Sequence, residues 1–244
     1  MREDPPARHH SQARGGPLQE GHLTEEAREV RRAAVGELGE ALRELVDAAV
    51  RTEVPLDRLA EATGAARELT ALLSTDLREV HEIASVDDPD SGQRWYSPVY
   101  GPGSPVAPPM EVVDFPDEGR CVSRVTVGKK LEGPPGLVHG GVVATLLDHV
   151  LARSARGAGH GGLTATLTVT YRRPVHLGVP LLVTGQLVSV EGRRATATAR
   201  LVAEDDPGTT LAEGEALLVA LRAERASEVF ARTGRDVGAW TSRS

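Results

Sequence analysis

The 244-residue chain has no asparagine, one cysteine, two lysines (Lys129 and Lys130) and an aromatic content of 3%. Without asparagine there is no N-glycosylation acceptor and no Asn amide for any site. The lone thiol of Cys121 cannot form an internal disulfide. The opening MREDPPARHH carries no apolar stretch of the kind a secretory signal needs, so a reducing, cytoplasmic location is expected. No apolar run approaches the ~20 residues that cross a bilayer, and a soluble chain without a membrane span is expected. With so few aromatics, the core must be aliphatic. Basic residues are outnumbered too: 28 against 35 acids leaves a net charge of −7. An acidic chain without a basic block is a poor phosphate-backbone binder, which argues against a nucleic-acid partner.

What is present is 40% hydrophobic residues, enough for one good core, or for one domain of about 100–150 residues plus a sizeable appendage. Residues 1–23 are aperiodic and read as a solvated tail. From Thr24 to Val50, Leu38, Leu42, Leu45, Val46 and Ala49 recur at helical spacing behind a hydroxyl cap and two acids. A second helix is predicted from Pro55 to about Glu82, the pair making a hairpin or bent unit. Residues 24–84 hold 14 acids and 8 arginines, so this extension carries most of the net charge. Closely spaced prolines and glycines over 85–109 predict a linker or wrapping loop.

Beyond it the period changes to two. Strands are predicted near Met110–Phe115 and Cys121–Val127, then at Leu163–Tyr171, Leu181–Val190, Ala195–Ala203 and Thr210–Leu221. In the third, Leu163, Ala165, Leu167, Val169 and Tyr171 alternate with four threonines. Turns are expected at Glu191-Gly192 and at Asp206-Pro207-Gly208. The segment Val142–Leu151 interrupts them, apolar nearly all round, as a helix enclosed by a sheet would be. The expectation is an α+β domain over 110–222, an antiparallel sheet wrapped around a long central helix, followed by a short helix and tail over 223–244.

Chemistry concentrates at Glu132-Gly133-Pro134-Pro135-Gly136-Leu137-Val138-His139-Gly140-Gly141, which runs into that helix. Glycines at a helix start leave free N–H groups where partial positive charge collects, a site for a developing oxyanion. The same residues also suit a helix start whose glycines serve packing alone. Asp148, a carboxylate among Leu146, Leu147, Val150 and Leu151, is costly to bury unless something uses it. Gly140 and Asp148 lie about 12 Å apart along a regular helix, with His139 and Asp148 on roughly opposite sides. One chain cannot focus both on one carbon, so a catalytic reading requires two helices antiparallel across a two-fold axis.

VHGG followed by Asp148, then GLTATLTVTYRRPVHLG, resembles the hotdog-fold acyl-CoA thioesterases, the PaaI-type enzymes and thioesterase superfamily members 4 and 5 among them. The resemblance spans about 110–222 and leaves the helices of 24–84 uncovered. It implies a hotdog fold and hydrolysis of an acyl-CoA thioester without metal or other cofactor, in a homodimer or dimer of dimers. By position it implies that Gly140 polarises the carbonyl, His139 orients it, Asp148 serves as base or nucleophile, and Thr164 positions water. Gly141 is expected to contact substrate, and Arg172 and Arg173 to meet the CoA phosphates. Some relatives carry an asparagine where this chain has Gly133. Competing readings are a non-catalytic acyl-CoA-binding hotdog module with a regulatory role, and a hydratase, for which Asp148 lacks a histidine five residues on. The GxGxxG of Gly157, Gly159 and Gly162 follows a helix instead of a strand and reads as a loop. The scattered histidines give no metal set.

Overall fold

A computed structural model of the chain describes residues 24–88, 91–108 and 110–233; the tails expected over 1–23 and beyond 233 lie outside these. Helix α1 spans Glu25–Arg51. Its cap is Thr24, whose hydroxyl accepts from the Ala27 N–H at 3.2 Å, with Glu25 and Glu26 at the positive end of the helix dipole. Helix α2 spans Leu56–Leu73, well short of Glu82. The Thr75 hydroxyl donates to the Leu72 carbonyl at 2.9 Å, a local bond that competes with continuing the helix. Of the two arrangements expected, hairpin or bent pair, a closed hairpin is not formed, for α2 buries none of its residues.

Helix α1 packs instead on residues 84–88 and 91–108, which wrap the domain without regular helix or strand. Its buried Arg32 donates to the Val86 carbonyl at 3.0 Å and lies over the Trp95 ring. A Cβ on Gly39 would collide with Pro102 and Gly103, so the glycine lets helix and loop touch backbone to backbone. Val86 and Ala107 are buried beneath, and the Asp87 carboxylate accepts from the Trp95 N–H at 2.6 Å while pairing with Arg94.

The domain follows as β1 (Met110–Phe115), β2 (Arg120–Thr126), α3 (Gly140–Gly157), β3 (Leu163–Tyr171), β4 (Pro180–Glu191), β5 (Arg194–Ala203), β6 (Asp206–Val219) and α4 (Ala223–Phe230). The six strands form one antiparallel sheet in the order β1-β2-β4-β5-β6-β3. Helix α3 lies on one face of it, the hotdog arrangement. Val143, Leu146, Leu147, Val150 and Leu151 of α3 meet Leu181, Val183, Leu201, Ala212 and Leu218 in an aliphatic core. Each buried leucine contributes about 2 kcal/mol relative to exposure. Gly185 sits where a Cβ would strike the Val150 carbonyl, so helix and sheet approach more closely there than any other residue permits.

As expected, the sheet wraps around α3, leaving Gly141 and Thr145 exposed and Asp148 half-buried along one open edge. Two other expectations change. Asp206-Pro207-Gly208 lies inside β6, and the reversal falls at residues 204–205, since Ala203 pairs with Asp206 and Val202 with Thr210. The residues between are bulged out of the ladder. A second bulge matters more: between Thr164 and Thr166 the β3–β6 register slips, Thr164 facing Leu218 and Thr166 facing Leu217. Leu218 points into the core, so Thr164 turns to the helix side while Thr166, Thr168 and Thr170 stay on the outer face.

Candidate active site

Two clusters lie along the open edge formed by α3 and β3. The first is at the helix start. His139 is the cap of α3, its Nδ1 accepting from the Gly141 N–H at 3.0 Å. A nitrogen that accepts is unprotonated in the neutral ring, which places the proton on Nε2 and makes that atom an outward donor. Among the described residues the Gly140 N–H meets no acceptor, so the first turn of α3 offers a free amide beside a free imidazole N–H. Gly141 offers no such amide, because its N–H is already bonded to His139. It serves the cap by lacking a side chain: a Cβ there would lie 3.1 Å from His139 Nδ1.

The loop ahead of the helix is braced. Gly136 adopts φ +80, and its N–H donates to the Glu132 carboxylate at 2.7 Å. The Lys129 ammonium, then that N–H, holds the Glu132 carboxyl below the usual glutamate range. Gly133 packs so tightly that a Cβ would come within 2.8 Å of His139 Cα. An asparagine could not occupy this backbone without a shift of the His139 main chain.

The second cluster is the Asp148–Thr164 pair. The Thr164 hydroxyl donates to Asp148 Oδ1 at 2.9 Å. Helix position 148 supplies the carboxylate, and the β3 bulge supplies the hydroxyl. Both belong to one chain and both face its surface, with Thr164 exposed. The structure thus joins Asp148 to Thr164, and His139 to Gly140 and Gly141, but leaves the two clusters two helical turns apart.

Tyr171 is a contact of the candidate site that reading the sequence missed. At the far end of β3 from Thr164, its hydroxyl donates to the Gly140 carbonyl at 2.8 Å, tying the strand to the first turn of α3. The alternation already placed it on the face of Leu167 and Val169. That strand and helix run antiparallel, bringing position 171 to Gly140, was the missing fact. Tyr171→Phe keeps the ring and removes a bond worth about 1 kcal/mol. The expected result is a lower midpoint of denaturant unfolding, equivalent to roughly that amount, with the secondary structure unchanged by circular dichroism.

Arg172 donates through Nε and Nη2 to Glu213, so its fork is already occupied. Arg173 is exposed at the strand end and is the better placed of the two for a phosphate. Cys121 is buried, its thiol donating to the Val150 carbonyl at 3.3 Å and pushed up to about 11 by burial; it is a core residue and no nucleophile. Among the described residues no His, Cys, Asp or Glu grouping fits a metal ion, and no helix is long and apolar enough to cross a membrane.

Known proteins share this framework. Residues 135–210 match the thioesterase superfamily domain. The chain is 36% identical over 89 residues to acyl-coenzyme A thioesterase THEM4 of Xenopus laevis, covering 36% of this chain and 40% of that protein. It is 35% identical over 108 residues to THEM4 of Mus musculus, covering 44% and 46%. The chain thus spans less than half the length of these curated relatives. A crystal structure described as a thioesterase superfamily protein shares 35% identity and a TM-score of 0.67, covering 76% of this chain and 94% of that one. With that near-complete coverage of a relative, and the helix, sheet and loop laid out above, the chain belongs to the thioesterase superfamily.

Proposed function

We propose that the protein hydrolyses acyl-CoA thioesters to the free acid and CoA, at a site shared between two copies. The observation that carries this reading is the pair of half-sites on one open edge: a helix start with free donors at one end, and a carboxylate oriented by a hydroxyl at the other. β3 is also the end strand of the sheet, nine residues without proline or lysine, the kind of edge that pairs with another chain. A two-fold axis beside the middle of α3 and β3 brings each copy's Asp148–Thr164 against the other's His139–Gly140.

In that assembly the Gly140 N–H and His139 Nε2–H receive the thioester oxygen as charge develops on it. Thr164 occupies Asp148 Oδ1, leaving Oδ2 to take a proton from water while the water oxygen attacks the carbonyl carbon. The tetrahedral intermediate collapses with loss of the CoA thiolate, which takes up the proton. Base catalysis suits the pair better than nucleophilic attack, because the Thr164 oxygen can also accept from the water it aligns. Arg173 is assigned to the CoA phosphates. The reaction calls for no metal or redox cofactor.

The test is release of free CoA thiol from short-chain, medium-chain, long-chain and phenylacetyl thioesters, followed with a thiol reagent. Turnover above background with at least one substrate is expected, and the aliphatic core favours fatty chains over the aryl one. An acyl-CoA that binds but is never cleaved would replace this reading with that of a binding module.

A further inference from the structure

Helices α1 and α2 each carry an apolar seam that none of the described residues covers. On α1, Ala34, Leu38, Ala41, Leu45 and Ala48 recur at alternating steps of four and three, away from the side held by Arg32 and Gly39. On α2, Leu59, Ala62, Ala66, Leu69 and Leu73 recur at steps of three and four. This is heptad spacing, the pattern of helices that pack side by side. All ten residues are exposed except Leu69, which is half-buried, with Leu45 at 50% and Leu73 at 42%. Most helix stability in proteins comes from packing an apolar face, and α2 buries none of its 18 residues, so it calls for a partner surface.

The two seams fit each other. Laid antiparallel, they stack Ala48 on Leu59, Leu45 on Ala62, Ala41 on Ala66, Leu38 on Leu69 and Ala34 on Leu73. Large faces small in three layers, the alternation that lets helices interdigitate closely. Each pair is also equidistant from the linker of residues 52–55, so the register is that of a hairpin made from this chain. Yet the hairpin is open. The linker is extended, with ψ 142 at Thr52 and ψ 165 at Pro55; four such residues span about 13 Å, more than the 8–10 Å between packed helices. Beyond α2, Leu77 and Val80 remain exposed, Arg78 lies over the Tyr96 ring, and the chain is buried again at Ala84.

We propose that α2 of one copy packs antiparallel on α1 of a second copy, exchanging the hairpin between chains. A chain that carries both halves of a matched seam and holds them apart is built for exchange with its like, and the acidic extension thereby becomes an assembly element. This proposal is independent of the hydrolytic reading, since none of its residues touches the candidate site.

Single-thiol chains test it. With Cys121→Ala as background, Ala41→Cys and Ala66→Cys chains of different tag length are co-expressed and treated with a short bis-maleimide. A linked heterodimer is expected on denaturing gels, and Leu38→Glu with Leu69→Glu, which places charge in the seam, should reduce linking at least ten-fold. A single chain carrying both thiols should likewise give linked dimers. If that chain gives only an internally bridged monomer, the hairpin closes on itself and the proposal fails. It fails equally if neither form links, or if the seam glutamates leave linking unchanged while thermal melts show every variant folded.

Discussion

Replacing Asp148 by Asn is expected to lower kcat for acyl-CoA hydrolysis by about 10²-fold or more, the range typical of losing a positioned base. An asparagine has the shape of the carboxylate, and its Oδ1 can still accept from Thr164, so the pair retains its geometry. What it cannot do is take a proton from water. Because Asp148 is half-buried at an open edge and not in the aliphatic core, the fold and assembly mass should be unchanged. KM should hold as well, since neither oxygen binds the acyl chain or CoA. Thiol-release kinetics beside light scattering and a thermal melt separate these effects. An Asn variant with wild-type kcat would remove Asp148 from the mechanism.

The second large effect is on stability. His149 lies behind Asp148 on α3, its ring stacked on Tyr100 at 4.5 Å, and its Nε2 is buried without a hydrogen-bond partner. Burial, then the neighbouring Arg153 and Arg156, pushes it down to about 3 from the ordinary 6.5, against an opposing pull from Asp114. The folded protein therefore keeps this ring neutral where the unfolded chain protonates it. Stability is fully present above pH 6.5 and falls as acid is added toward about 3, at up to about 1.4 kcal/mol per pH unit from this group. His149→Phe preserves the stack and removes the titration. Denaturant unfolding at pH 7, 6, 5 and 4 should show the wild type losing stability faster than the variant, and the gap should close as pH rises through 6.5. Parallel curves would mean that His149 binds a proton equally well folded and unfolded.

Periodicity carried most of the fold. The aliphatic run of 142–151 and the alternating strands after it specify a helix on an antiparallel sheet, because burial against one face imposes those periods. What pattern could not supply was register. Thr164 reads as one of four equivalent threonines, and only the slipped pairing with Leu217 and Leu218 turns it toward Asp148. Bulges answer to strand pairing, a non-local property that no window of sequence contains. Asp206-Pro207-Gly208 misled for the same reason. Within the candidate site, His139, Gly140 and Asp148 stood out because a capped glycine-rich helix start and a mid-helix carboxylate are local features. Tyr171 did not, because its partner Gly140 is distant in sequence. The helices of 24–73 were legible as helices, but the described residues leave their apolar seams uncovered, and local pattern does not say what packs there.

The central claim is that one catalytic centre draws on two chains, and subunit complementation tests it most directly. Asp148→Asn and His139→Ala chains are each expected to be nearly inactive alone. Mixed by co-expression, half of the dimers are heterodimers with one intact site of two, so activity should return to about a quarter of wild type. Recovery to that level is the result the account predicts. If the mixture stays as inactive as its components while light scattering and tag pull-down show heterodimers present, both groups act within one chain, and the shared site is wrong.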